Sequence, residues 1–223
     1  MCSHNRLASQ LENSVSLDEI DDEVVLLGAL IMDVMPNVGG IKGSLYASWK
    51  HLGRFKITYL HKNVFTIKAP KDKANAILHG GPWHVDNQRF IVVKWLQNLT
   101  LRDVHPTKAW YWVRIYGLSK EKMNVQNAIT IGSAIGEVLE TEDLSPVDAS
   151  LRGYIRVKVL LDSRDSLPTG FWMDLNEYTK SRVEYVYEDL GDFYWRCGRL
   201  GHHMDSCEDM RLIGPDDEEP EHQ

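Results

Sequence analysis

The chain has 223 residues, 43% of them hydrophobic, with 25 Lys+Arg against 32 Asp+Glu and a net charge of −7. It is too apolar for a disordered chain, and three cysteines are too few for a disulfide scaffold. The acidic total argues against a polyanion binder only until it is resolved along the chain. Residues 1–40 carry −6, residues 41–115 carry +10 and residues 116–223 carry −11. In the middle block thirteen basic side chains stand against Asp72, Asp86 and Asp103, and clustered cations attract polyanions.

The first twenty residues lack the charged-then-apolar pattern of a signal peptide. The longest apolar run, 24–32, is far short of the roughly 20 residues that span a bilayer. A soluble, intracellular protein is expected, with the nucleus compatible. Cys2 lies in a polar arm, so no disulfide framework is expected.

Residues 1–22 read as an acidic flexible arm. The run 24–32 is a strand or short helix, followed by turn chemistry at 36–40. Ile41, Leu45, Trp49 and Leu52 recur at helical spacing, and Gly53 ends the helix. Phe55, Ile57 and Tyr59 alternate as a strand, which pairs with 64–68 across a tight turn at 61–63. A short helix follows at 71–79, ended by Gly80-Gly81-Pro82, and residues 89–95 form a further strand. This order predicts an α+β fold with a ferredoxin-like (βαββαβ) N-terminal domain over 23–98. Two helices on one sheet face leave the other free, the geometry that RNA-recognition modules use.

A polar link ends at Pro106. A second mixed α/β unit is expected over 107–190. It has strands at 110–116, 137–142, 153–161, 171–175 and 181–188 and a helix from about Val125 to Gly136. Trp110 and Trp112 share one strand face, as core or as interface.

Residues 194–207 carry the densest chemistry. Cys197 to His202 is C-x4-H and His202 to Cys207 is H-x4-C, with Gly198 and Gly201 at the turns. This spacing lets three side chains converge on a tetrahedral Zn²⁺, making a small zinc-knuckle module over 193–208. A complete CCHC knuckle would have a further cysteine where Tyr194 stands, and a phenol is a poor zinc ligand at neutral pH. Two readings stand open. In one, zinc is held by Cys197, His202 and Cys207, with water, His203 or Asp205 as fourth donor. In the other, the knuckle is degenerate and metal-free. In a folded knuckle Trp195 and His203 would form a base-stacking platform, with Arg196 and Arg199 on phosphates. Otherwise Trp195 covers the small core. Residues 209–223 read as an acidic, disordered tail.

With these residues in view, the chain resembles a plant family related to LINE-type retrotransposons. Its members join an N-terminal domain of unknown function to a CX2CX4HX4C knuckle. The resemblance is carried by Leu78-His79-Gly80-Gly81-Pro82-Trp83 with 90–95, and by 109–118. It continues in 153–159 with Arg156, and in 186–190 running into the knuckle. Ser119 and Gly191 stand where the family has proline, and Tyr194 where it has cysteine. The resemblance implies nucleic-acid and zinc binding and no catalysis.

No P-loop, H-E-x-x-H, G-x-S-x-G or dinucleotide fingerprint occurs, and Gly39-Gly40-Ile41-Lys42-Gly43-Ser44 lacks the P-loop spacing. The expectation is a non-enzymatic protein that binds single-stranded RNA or DNA. The candidate contacts are Lys50, Arg54, Lys56, Lys62, Lys68, Lys71, Lys73, Arg89 and Lys94 in the first domain. In the knuckle they are Trp195, Arg196, Arg199 and His203. Contact at the first domain should be mainly electrostatic and salt-sensitive. The alternative is a protein-interaction or assembly module, possible through self-association, or an inactive element relic.

Overall fold

The computed structural model describes residues 23–32, 37–95, 100, 106–143, 145–175, 179–191, 193–194 and 197–201. The fold is mixed α+β and rich in sheet. The first sheet contains β1 (Glu23–Leu30), β2 (Lys56–His61), β3 (Val64–Pro70), β4 (Trp83–Val85) and β5 (Gln88–Lys94), in the order β2-β3-β1-β5-β4. Every neighbouring pair is antiparallel. Helix α1 (Val38–Ser48) joins β1 to β2, and α2 (Lys71–His79) joins β3 to β4. Asn37 caps α1 by accepting from the Gly40 N–H at 3.1 Å.

Both helices pack on one face. Its core holds Leu26, Leu30, Phe65, Ile67 and Phe90 from the sheet, and Ile41, Leu45, Ala74 and Ile77 from the helices. Trp49, fully buried, meets Phe55, Trp83 and Phe90 edge-on at 5.5–6.2 Å. Gly28 makes room for the Phe90 ring, since a Cβ there would lie 2.3 Å from Phe90 Cζ.

The second sheet contains β6 (Lys108–Tyr116), β7 (Glu137–Thr141), β8 (Tyr154–Asp162), β9 (Gly170–Asp174) and β10 (Lys180–Tyr187), in the order β7-β8-β6-β10-β9. Counted from its own first strand, this is the strand order of the first sheet. Helix α3 (Val125–Ile135) packs on β7 and β8, and α4 (Pro146–Arg152) joins those strands. No helix joins β8 to β9. The inner face of the second sheet instead gains Leu167, Leu200, and Ile91 of the first sheet, with Ile31 and Val93 packed alongside. A short hairpin, β11 (Phe193–Tyr194) with β12 (Arg199–Leu200), contributes to the same core.

Three features depart from the sequence expectation. Strand β4 is additional; it pairs with β5 across Asp86-Asn87, both at positive φ, a two-residue hairpin signal that the Gly-Gly-Pro stop had obscured. Helix α4 is additional too, only seven residues long, capped by Ser145 and closed by left-handed Gly153. The first sheet's second face is also not free throughout. At β2 and β3 it carries Lys56, Thr58 and Lys68, but at β1 and β5 it is buried through Ala29, Arg89 and Ile91. No described helix is long and apolar enough to cross a membrane.

Candidate nucleic-acid interface

The basic side chains of the first sheet do not converge. Lys50, Arg54, Lys56, Lys62, Lys71 and Lys94 are exposed, but they lie on the α1–β2 connection, β2, the β2–β3 turn, the start of α2 and the end of β5. Lys68 pairs with Glu23 at 2.6 Å and Lys73 with Asp72 at 3.1 Å. Arg89 is only 5% exposed. Its guanidinium donates to the Trp110 carbonyl at 2.7 Å and lies 5.0 Å from the Trp110 ring and 4.9 Å from Tyr111. Expected on the surface, Arg89 instead ties the first sheet to the second. Strand alternation hides this, because Arg89 shares its face with Ile91 and Val93.

The outer face of the second sheet is more concentrated. Strand β6 turns Ala109, Tyr111, Val113 and Ile115 to the core and Trp110, Trp112, Arg114 and Tyr116 outward. In the β6–β8 register, Trp112 stands beside Lys158, Arg114 beside Arg156 and Tyr116 beside Tyr154. All six are half-buried. The cations lie on the rings. Arg156 is 4.3 Å from the Trp112 centroid and Lys158 is 4.2 Å from Trp110. Arg114 and Arg152 lie 5.2 and 4.1 Å from Tyr154. At the far edge Arg182 stands 5.6 Å from Trp172.

Carboxylates hold the guanidinium groups in place. Glu188 accepts from Arg114 Nε at 2.6 Å and, through its other oxygen, from Arg156. Burial works against the Glu188 carboxylate, but the hydrogen bonds from Arg156 and Arg114 outweigh it and hold its carboxyl below the ordinary range. Donating to Glu188 in turn raises Arg114 above its ordinary value. Glu142 takes Arg152 in a two-oxygen fork at 3.1 and 2.6 Å. Aromatic rings and guanidinium groups are therefore held together on one face, and both kinds of group can stack with a base. Sequence alternation placed Trp110 and Trp112 on one face. It did not show that β8 brings Tyr154, Arg156 and Lys158 beside them.

The knuckle residues are described only in part. Trp195, Arg196, His202, His203 and Cys207 lie outside the described residues. Tyr194 ends β11 and Cys197 stands in the turn that leads into β12, where the Gly198 N–H donates to the Tyr194 carbonyl at 2.9 Å. Gly198 and Gly201 both have positive φ, and a Cβ at Gly201 would lie 2.6 Å from the Ile31 carbonyl oxygen. The Cys197 thiol is buried and lies 3.7 Å from the Tyr194 carbonyl. Among the described residues no three His, Cys, Asp or Glu side chains gather as a metal site. Cys197 is the one described member of the expected ligand set. The hairpin is docked, with Leu167 N–H donating to the Gly198 carbonyl at 2.7 Å and Ser166 Oγ to the Cys197 carbonyl at 2.8 Å.

An uncharacterized Arabidopsis thaliana protein is 25% identical to the chain over 132 residues, 59% of this chain and 41% of that protein. The chain thus spans less than half of that relative's length. Residues 23–102, which hold the whole first sheet, match the family described as Domain of unknown function (DUF4283).

Proposed function

We propose that the chain is a non-enzymatic protein that binds single-stranded RNA or DNA on the outer face of its second sheet. The observation that carries this is the set Trp110, Trp112, Tyr154 and Tyr116 interleaved with Lys158, Arg156 and Arg114 on one face. Residues two apart on a strand are about 7 Å apart. Duplex bases are about 3.4 Å apart along each strand, so Trp110 and Trp112 suit bases splayed from one another. Since the cations are largely paired with Glu188, Glu142 and Glu140, stacking rather than net charge supplies most of the affinity. The salt dependence should be correspondingly mild.

Fluorescence anisotropy of the full chain with labelled single-stranded and duplex oligonucleotides tests this. Binding that favours the single strand and falls with Trp112→Ala is expected. No binding at low salt overturns it.

We read both sheets as ferredoxin-like, from their shared strand order and the helices of the first. We also propose that Cys197, His202 and Cys207 hold zinc, supported by the left-handed Gly198 and Gly201 around a buried thiol. Derivation from a plant LINE-type element rests on the motif resemblance. A second reading, a protein-interaction module, draws on the exposed apolar side of α4, where Leu151 is 83% and Val147 57% exposed.

A further inference from the structure

A cleft of about 310 Å³ opens where the two sheets meet. The β2–β3 turn supplies His61, Lys62 and Asn63. The entry to β6 supplies Thr107, the exit from β8 supplies Ser163 and Arg164, and β12 supplies Arg199 and Leu200. Its apolar wall is offered chiefly by the half-buried Ile31 and Met32, because Ala29, Leu30 and Leu200 are almost wholly buried behind them. No acidic side chain is among its described lining residues. Three cations at the rim over an apolar wall suit a ligand with an anionic end and a flat, weakly polar body.

The rim is held in place by bonds already made. Asn63 Nδ2 donates to the Leu30 and Met32 carbonyls at 3.0 and 2.7 Å, which pins the turn carrying Lys62 onto the end of β1. Lys62 itself sits at φ 48, the tip of that turn. Arg164 is gripped by Asp162 through Nε at 2.9 Å and Nη2 at 2.6 Å, with Nη1 turned to neither carboxylate oxygen. The Ser163 N–H donates to the Thr107 carbonyl at 2.8 Å and closes that side. Arg199 reaches the rim because its hairpin is docked on residues 166 and 167. Preformed donors lose little freedom on binding, which favours affinity in a small site.

We propose that this cleft binds a nucleoside phosphate, the phosphate on Lys62, Arg164 and Arg199 and the nucleoside against Ile31 and Met32. The ligand is either a free mononucleotide or the phosphorylated end of a strand. The site is separate from the outer face of the second sheet and does not depend on it.

Calorimetry of the full chain with UMP, uridine and inorganic phosphate tests the proposal. UMP should bind at least tenfold more tightly than either uridine or phosphate. Lys62→Glu and Arg164→Ala, both at exposed positions, should each weaken UMP at least tenfold, with unchanged circular dichroism. Trp112→Ala should leave UMP binding intact, so failure of the stacking face and failure of the cleft are told apart. A gain in oligonucleotide affinity from a 5′-phosphate, lost in Lys62→Glu, identifies the strand end. UMP binding without that gain identifies the free nucleotide. No UMP binding at millimolar concentration, phosphate binding as tight as UMP, or indifference to both variants overturns the proposal.

Discussion

The guanidinium of Arg156 lies 4.3 Å from the centroid of the Trp112 indole while donating to Glu188. One arginine therefore joins an aromatic plane on β6 to a carboxylate just past the end of β10. A cation over an indole is worth about 0.5–1 kcal/mol at an exposed site. Its larger consequence is order, because a strand arriving on this face meets planes already set.

Replacing Trp112 with Ala removes the ring at the centre of that arrangement. A stacked base is worth about 1–3 kcal/mol, so single-strand affinity should fall roughly 5- to 150-fold. The far-UV circular dichroism should not change, since Trp112 points away from the core. Anisotropy titrations of both proteins at two salt concentrations check the size of the loss and its weak salt dependence.

Arg89→Ala should act on stability. The side chain is buried, donates to the Trp110 carbonyl and lies on two aromatic rings between the sheets. Losing a charged hydrogen bond at such a place costs about 2 kcal/mol. Lys56→Ala, on an exposed strand position, should stay within about 0.5 kcal/mol of wild type. Urea unfolding of the two variants gives the comparison.

Acid should weaken the fold partly through Asp162. Hydrogen bonds from Arg164, with a further one from Thr107, lower its carboxyl from 3.8 to about 2. A carboxyl depressed in the folded state contributes stability above its unfolded value, and that contribution is lost as pH falls through the folded value. Asp162→Asn should therefore lower the thermal midpoint near neutral pH. The gap to wild type should close between about pH 4 and pH 2. Equal gaps at both ends of a pH series would rule this role out.

Zinc content tests the hairpin. Tyr194→Cys supplies the fourth thiolate that a closed structural site uses, so it should keep one zinc per chain through dialysis against a weak chelator. Wild type should hold less. Full and equal occupancy in both would show that Cys197, His202 and Cys207 need no cysteine at position 194.

Much of the first sheet is legible along the chain. Alternation at 55–59 and helical spacing at Ile41 and Leu45 are local signals, and a strand and a helix form there, although the helix runs from Val38 only to Ser48, with Trp49 as its cap and Gly53 closing a separate 3-10 turn. The strands at β6, β8 and β10 are legible for the same reason. Strand β4 and helix α4 are too short to carry a period of their own. The candidate sites are less legible. Charge counting singles out the +10 block, yet its cations point to several sides and Arg89 is buried.

The net of −7 and its division along the chain, the type of most elements, and the sharing of one strand face by Trp110 and Trp112 follow from residue order alone. These depend on backbone periods of two and 3.6 residues, which are local. Which cations meet an aromatic ring depends on register between β6 and β8, strands some forty residues apart in sequence. The cleft depends on still longer closures, uniting Lys62, Arg164 and Arg199 because Ile91 and Leu200 are buried in the core of the second sheet with Ile31 packed against it. Burial of apolar surface is indifferent to sequence separation. Packing therefore decided that junction, and with it which charged residues it buried, as at Arg89, and which it gathered along one cleft.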